Sequence, residues 1–158
     1  MLSEAERGEI EAEVARSFNL RAASVGALRI VQAHRGHVSD DAIREVAALL
    51  HMTPAELEGV ATFYNLIFRR PVGERVLKVC DGVVCWMLGG QSLLQHLERR
   101  LGIRAGETTP GGRFTLLPIC CLGDCDHAPV MMVNDALYRN VTPELLDRIL
   151  DGEEPPAE

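Results

Sequence analysis

The chain has 158 residues, of which 47% are hydrophobic and 25% charged, with a formal net charge of −7. That length accommodates one domain plus a smaller appendage, and that composition argues against disorder throughout. No Lys/Arg run exceeds a pair and no run of about eighteen apolar residues occurs, so the sequence offers neither a nucleic-acid footprint nor a membrane span.

The acidic start, Met1-Leu2-Ser3-Glu4-Ala5-Glu6, lacks the basic-then-apolar pattern of a secretory signal and points to the cytoplasm. Ser3 and Glu6 have the spacing of a capping box, followed by Ile10, Val14 and Phe18 on one helical face. A second helix is predicted over 22–35, with Val25, Leu28 and Val31 inward and Gly36 as its stop. Ser39 caps a third helix through Ile43, Val46 and Leu50, and Thr53-Pro54-Ala55-Glu56 starts a fourth. These segments form a predicted helical bundle over 1–70, with 69–73 (Arg-Arg-Pro-Val-Gly) as linker. Phe63, Tyr64 and Phe68 are core aromatics or a docking surface. A second unit is predicted over 71–151. It has strands at 75–79 and 114–119, a hairpin turning at Asn134-Asp135, and helices over 91–101 and from Thr142-Pro143-Glu144. The class is therefore α+β, a small sheet with helices against it. Residues 152–158 are expected to be a disordered acidic tail.

All five cysteines lie between positions 80 and 125. An odd count in a reducing compartment is a poor disulfide framework, and clustered cysteines there favour metal or redox chemistry. Cys80 and Cys85 form a C-x₄-C pair after one strand; Cys121 and Cys125 form a C-x₃-C pair after another. Both pairs are expected in loops at strand ends, and parallel strands bring such ends to one edge of the sheet. The loops contain glycine, whose φ > 0 conformations turn backbone N–H groups toward sulfur. Four thiolates suit a [2Fe–2S] cluster or structural zinc, and spacing alone leaves both open. A Rieske centre needs two histidines, and only His127 is near; thioredoxin-type exchange needs C-x-x-C, which is absent. Cys120 competes with Cys121 on spacing and is otherwise a buried thiol or a group behind the ligands. Two ferric ions, two sulfides and four thiolates sum to minus two, so the neighbouring Asp81, Asp124 and Asp126 are expected to lower the potential. Trp86 either shields the cluster or belongs to the core. His34, His37, His51 and His96 are scattered and read as surface or satisfied core residues. Nucleotide fingerprints of the G-x-G-x-x-G or G-x-x-x-x-G-K-[ST] kind do not occur.

With these pieces in place the chain resembles the thioredoxin-like [2Fe–2S] subunits of NADH–quinone oxidoreductase, respiratory complex I, known in bacteria as the E subunits. The residues that carry the resemblance are Glu58-Gly59-Val60-Ala61-Thr62-Phe63-Tyr64, Cys80-Asp81-Gly82-Val83-Val84-Cys85, Gly112-Arg113-Phe114-Thr115-Leu116-Leu117-Pro118, Cys121-Leu122-Gly123-Asp124-Cys125 and Ala128-Pro129. The resemblance implies a helical N-terminal bundle followed by a thioredoxin-like [2Fe–2S] ferredoxin domain. It selects Cys80, Cys85, Cys121 and Cys125 as ligands of one [2Fe–2S] cluster and sets Cys120 aside. It further implies an electron-transfer role beside a partner, the flavin- and NADH-binding F subunit, within the peripheral arm on the cytoplasmic side of the inner membrane. FMN and NADH are then expected only in that partner. The equivalent diaphorase subunit of an NAD-linked hydrogenase or formate dehydrogenase uses the same module and is the alternative; a zinc-stabilised interaction module is the non-redox one.

Overall fold

Helix starts in the first part of the chain are set by side-chain caps. In the computed structural model, which describes residues 1–153, the Ser3 side chain accepts from the Glu6 N–H while the Glu6 carboxylate accepts from the Ser3 N–H, opening α1 (Glu4–Arg16). Ser39 opens α3 (Asp40–Leu49), and Thr53 with Glu56 repeats the reciprocal box at α4 (Pro54–Phe63), with Pro54 in the first turn. Together with α2 (Ser24–Arg35) these helices make up the first of two compact units, Met1–Pro71. Its core is apolar: Ile10, Leu28, Val31, Val46, Leu50 and Leu57 are fully buried. One ion pair enters that interior. Glu6, with a side chain 3% exposed, receives two bonds from the Arg35 guanidinium, which hold its carboxyl at about 2.

Two expectations change here. α1 ends at Arg16, where Ser17 turns extended, so Phe18 leaves the predicted stripe and stands 97% exposed. The predicted helix over 22–35 is a 3₁₀ turn, Arg21–Ala23, leading into α2; its inward face is Ala27, Leu28 and Val31, with Val25 only half-buried.

The second unit begins at Val72. It holds β1 (Arg75–Cys80), α5 (Val83–Met87), α6 (Gly90–Leu101), β2 (Phe114–Ile119), β3 (Met131–Val133), β4 (Ala136–Tyr138) and α7 (Pro143–Asp151). The sheet order is β2-β1-β3-β4. β1 and β2 are parallel, from Arg75↔Phe114 to Cys80↔Ile119, while β3 runs antiparallel to β1 and β4 to β3. The period of two divides β1 between two environments. Leu77 and Val79, with Leu116, Met131 and Val133, share a core with Leu93 and Leu97 of α6 and Leu146 and Ile149 of α7. Val76, Lys78 and Cys80 occupy the other face, in register with Thr115, Leu117 and Ile119. Parallel pairing brings the C-terminal ends of β1 and β2 together, so both cysteine pairs leave the sheet at one edge.

Residues 152 and 153, expected in the tail, belong to the close of α7: Gly152 takes φ +89° and the Glu153 N–H bonds the Arg148 carbonyl. Residues 154–158 lie outside the described residues.

Candidate metal centre

Cys80 is the last residue of β1, and the chain turns at once through Asp81-Gly82 into α5. Cys85 therefore sits in a short helix, not in a loop as expected; Val83–Met87 is too brief to display helical periodicity in the sequence. Cys121 stands two residues beyond β2, and Cys125 opens a 3₁₀ turn, Cys125–His127. The two segments close on a glycine. A Cβ placed on Gly82 would lie 3.3 Å from the Cα and Cβ of Cys121 and 3.5 Å from the Cys80 sulfur. A side chain there would crowd Cys121 while only touching the Cys80 sulfur.

The four thiols gather together: Cys121 Sγ and Cys125 Sγ are 3.4 Å apart, Cys80 interacts with Cys85, Cys121 and Cys125, and Cys85 with Cys125. The donor set, four thiolates in two pairs without a histidine, fits a [2Fe–2S] cluster with one pair for each metal.

The environment differs between the two pairs. Cys80 and Cys85 are buried with Val130, whereas Cys121 and Cys125 are exposed. Burial pushes the Cys85 thiol up to about 11, and the Val130 N–H, bonded to it, works in the opposite direction. At Cys121 the Gly123 N–H lies 3.3 Å from sulfur and lowers the thiol pKa. Gly123 reaches that geometry at φ +89°, a conformation that L side chains rarely adopt. Cys125 is shifted upward, first by its contact with Cys121. Each pair is thus met by a backbone donor that favours negative charge on sulfur, which a thiolate-bound metal needs.

The flanking carboxylates are not equivalent. Asp124 is bonded by Arg139 and His127, which hold it below the usual carboxylate range, so its charge is largely compensated. Asp81 and Asp126 face solvent. Asp124, Asp126 and His127 lie close enough to offer three metal-ligand atoms, but Asp124 and His127 are bonded to each other. The sequence reading missed Arg139, which arrives from beyond β4 with no local signal at Asp124.

Cys120, expected to be buried or behind the ligands, is exposed. Trp86 is 59% exposed, with its indole N–H donated to Gln91, which removes the core reading of that residue. Val83, Met87 and Leu88 around it are exposed as well. Phe63 and Tyr64 are exposed and pack edge to face, so they are not core aromatics either. The distant histidines take ordinary partners: His34 meets Glu9 and His96 meets Asp147.

The thioredoxin-like [2Fe–2S] ferredoxin family matches residues 10–154. The E subunit of NADH-quinone oxidoreductase in Pseudomonas aeruginosa is 46% identical over 152 residues, covering 96% of this chain and 92% of that protein. The protein of the same name from Escherichia coli is 49% identical over 150 residues, covering 95% and 90%. Among solved structures, an NAD⁺-reducing [NiFe]-hydrogenase in the air-oxidized state superposes with a TM-score of 0.68 at 23% identity. That match covers 80% of this chain but spans only 22% of the hydrogenase chain, and it is a likeness of fold.

Proposed function

The chain belongs to the thioredoxin-like [2Fe–2S] ferredoxin family, and from that premise we propose that it is an electron-transfer subunit of an NADH–quinone oxidoreductase, holding one [2Fe–2S] cluster on Cys80, Cys85, Cys121 and Cys125. The observation that carries the ligand set is the gathering of four interacting thiols where β1 and β2 end side by side. When bound, the cluster supplies one-electron chemistry. The chain's own part is to fix two thiolates from the β1–α5 turn and two from the segment after β2. It also directs the Val130 and Gly123 N–H groups at sulfur and buries one pair while the other faces solvent.

Near half of all positions are shared with the NADH-quinone oxidoreductase relatives over nearly the whole chain, which supports assignment to that complex in preference to a hydrogenase. We assign the partner as the flavin- and NADH-binding subunit of the same complex, whose reduced flavin would exchange single electrons with this chain. The chain then stores an electron while the partner oxidises NADH. No described helix is long and apolar enough to cross a membrane, in keeping with a peripheral position; we place it on the cytoplasmic side of the inner membrane.

Purification of the native assembly through a tag on this chain tests the reading. Recovery with a flavin-containing NADH-oxidising subunit and with NADH-dependent quinone reduction supports it. Recovery with a hydrogenase moves the chain to the related diaphorase role, and zinc at one per chain without iron or sulfide overturns the redox reading.

A further inference from the structure

A folded chain rarely gathers large apolar side chains in solvent at one place, yet α5 does so along its length. Val83, Trp86 and Met87 are 70%, 59% and 73% exposed, and Leu88, next in the chain, is 58% exposed. Positions 83, 86 and 87 stand three and four residues apart and share one side of the helix, while Cys85 is buried on the other. The Trp86 indole N–H is donated to Gln91, so its polar atom is already bonded and what it offers to solvent is apolar. No Asp, Glu, Lys or Arg occurs between positions 82 and 97, in a chain where such residues make up 25%.

This ridge borders the thiols. Cys85 lies within α5 itself, and a notch of about 190 Å³ has Cys80, Asp81, Trp86, Gln91 and Leu94 in its walls. Electron transfer falls steeply with distance, so a molecule seated on the ridge is placed to exchange electrons with a centre held there. The neighbouring charge decides what that molecule is. Asp81 is exposed in the wall of the notch and Asp126 is exposed beside Cys125, in a chain of net charge −7. Anionic lipid would be repelled. A second copy would set the same carboxylates face to face across a two-fold axis. A different protein, apolar opposite α5 and cationic around it, meets neither penalty, and burial of the four exposed side chains supplies attraction.

We propose that the outer side of α5, with Trp86 at its centre, is the surface on which the electron-exchanging partner docks, and that the partner's matching face is an apolar seat edged by Lys or Arg. The proposal rests on the electron-transfer reading above, to which it adds the surface and the chemistry of the partner's face. The helix that supplies a buried thiol on one side thus offers the contact on the other.

The test is purification of the native assembly through a tag on this chain, with Val83→Glu and Met87→Lys introduced together. The two form an i,i+4 charge pair that suits an exposed helix and not an apolar seat. Iron, sulfide and the dithionite-reduced paramagnetic spectrum of the tagged chain should match the wild type, while flavin recovered per tagged chain should fall about tenfold or more. Asp81→Lys should lower flavin recovery as well, by setting a cation against the cationic edge. If the double variant fails to take up the cluster, Trp86→Ala is measured in its place, with the same fall expected. Wild-type flavin recovery in the double variant, or in Trp86→Ala, would overturn the docking role and leave the cluster assignment standing. Unchanged recovery with Asp81→Lys would overturn the cationic edge. A dimer of the full chain that the double change dissociates, or binding to phosphatidylcholine–phosphatidylglycerol vesicles that it abolishes, would overturn the choice of partner. Absence of a reducible signal from the wild-type chain would instead remove the reading on which the proposal rests.

Discussion

The two units of this chain solve the problem of stability in opposite ways. The first has a continuous apolar core, reciprocal caps at two of its helices and one buried ion pair, and contains no cysteine. The second has a layer of α6 and α7 against one sheet face, but its cysteine edge is largely exposed. There Cys121 and Cys125 are exposed, as are Val83, Trp86, Met87 and Leu88, and only Cys80, Cys85 and Val130 form a small buried group. The first unit buries its apolar side chains in one core, whereas the edge of the second leaves two of its clustered thiols in solvent.

The largest effect should come from removing a ligand. Cys121→Ser should abolish or strongly impair cluster assembly, read as iron and sulfide per chain, while Cys120→Ser should retain it near the wild-type level. Hydrogen exchange on the Cys121→Ser chain should show opening at the ligand edge with protection in α1–α4 unchanged. Loss of protection throughout the first unit would break the contrast. The converse change is Leu57→Ala in the first core. It should cost about 2–5 kcal/mol in denaturant unfolding, as expected for a fully buried leucine, and leave the cluster signal in the folded protein intact.

Third in size is the Glu6–Arg35 pair. Glu6 titrates at about 2 in the folded unit against an ordinary 4.5, a difference of about 3 kcal/mol. Because the folded value is depressed, this stabilisation is fully present above pH 4.5 and is lost as the pH falls through about 2. Glu6→Gln should therefore destabilise the first unit at neutral pH and approach wild type in strong acid; an equal deficit at both pH values would contradict the ion-pair account.

The smallest effect sharpens the picture of the ligand edge. Gly123→Ala should cost about 1 kcal/mol for its φ of +89° and weaken the N–H bond to Cys121. It should lower the cluster's midpoint potential without preventing assembly, and an unchanged midpoint would mean that this bond is not formed in the loaded protein.

Much of this contrast was readable in the sequence, because it rests on local chemistry. Caps at Ser3, Ser39, Thr53 and Thr142 and the strand patterns at 75–79 and 114–119 depend on residues a few positions apart. The separation of cysteines from the helical part is visible by inspection. What escaped was decided by tertiary placement. Phe18 continues a helical stripe on paper, but the helix stops two residues earlier. α5 is too short to show a period, so the sequence alone predicts a loop at Cys85. Cys120 and Cys121 are adjacent letters, and strand-end geometry left Cys120 in solvent instead of behind the ligands. Arg139 beside Asp124 has no signature until the sheet is assembled, and it decides how that aspartate acts.

The central claim is that the ligand edge holds one reducible binuclear centre on four cysteines. Electron paramagnetic resonance of the dithionite-reduced assembly, paired with iron and sulfide analysis of the same sample, tests it most directly. The account predicts two irons and two sulfides per chain and a one-electron paramagnetic signal that disappears in Cys121→Ser and survives in Cys120→Ser. One zinc per chain with no such signal would contradict it.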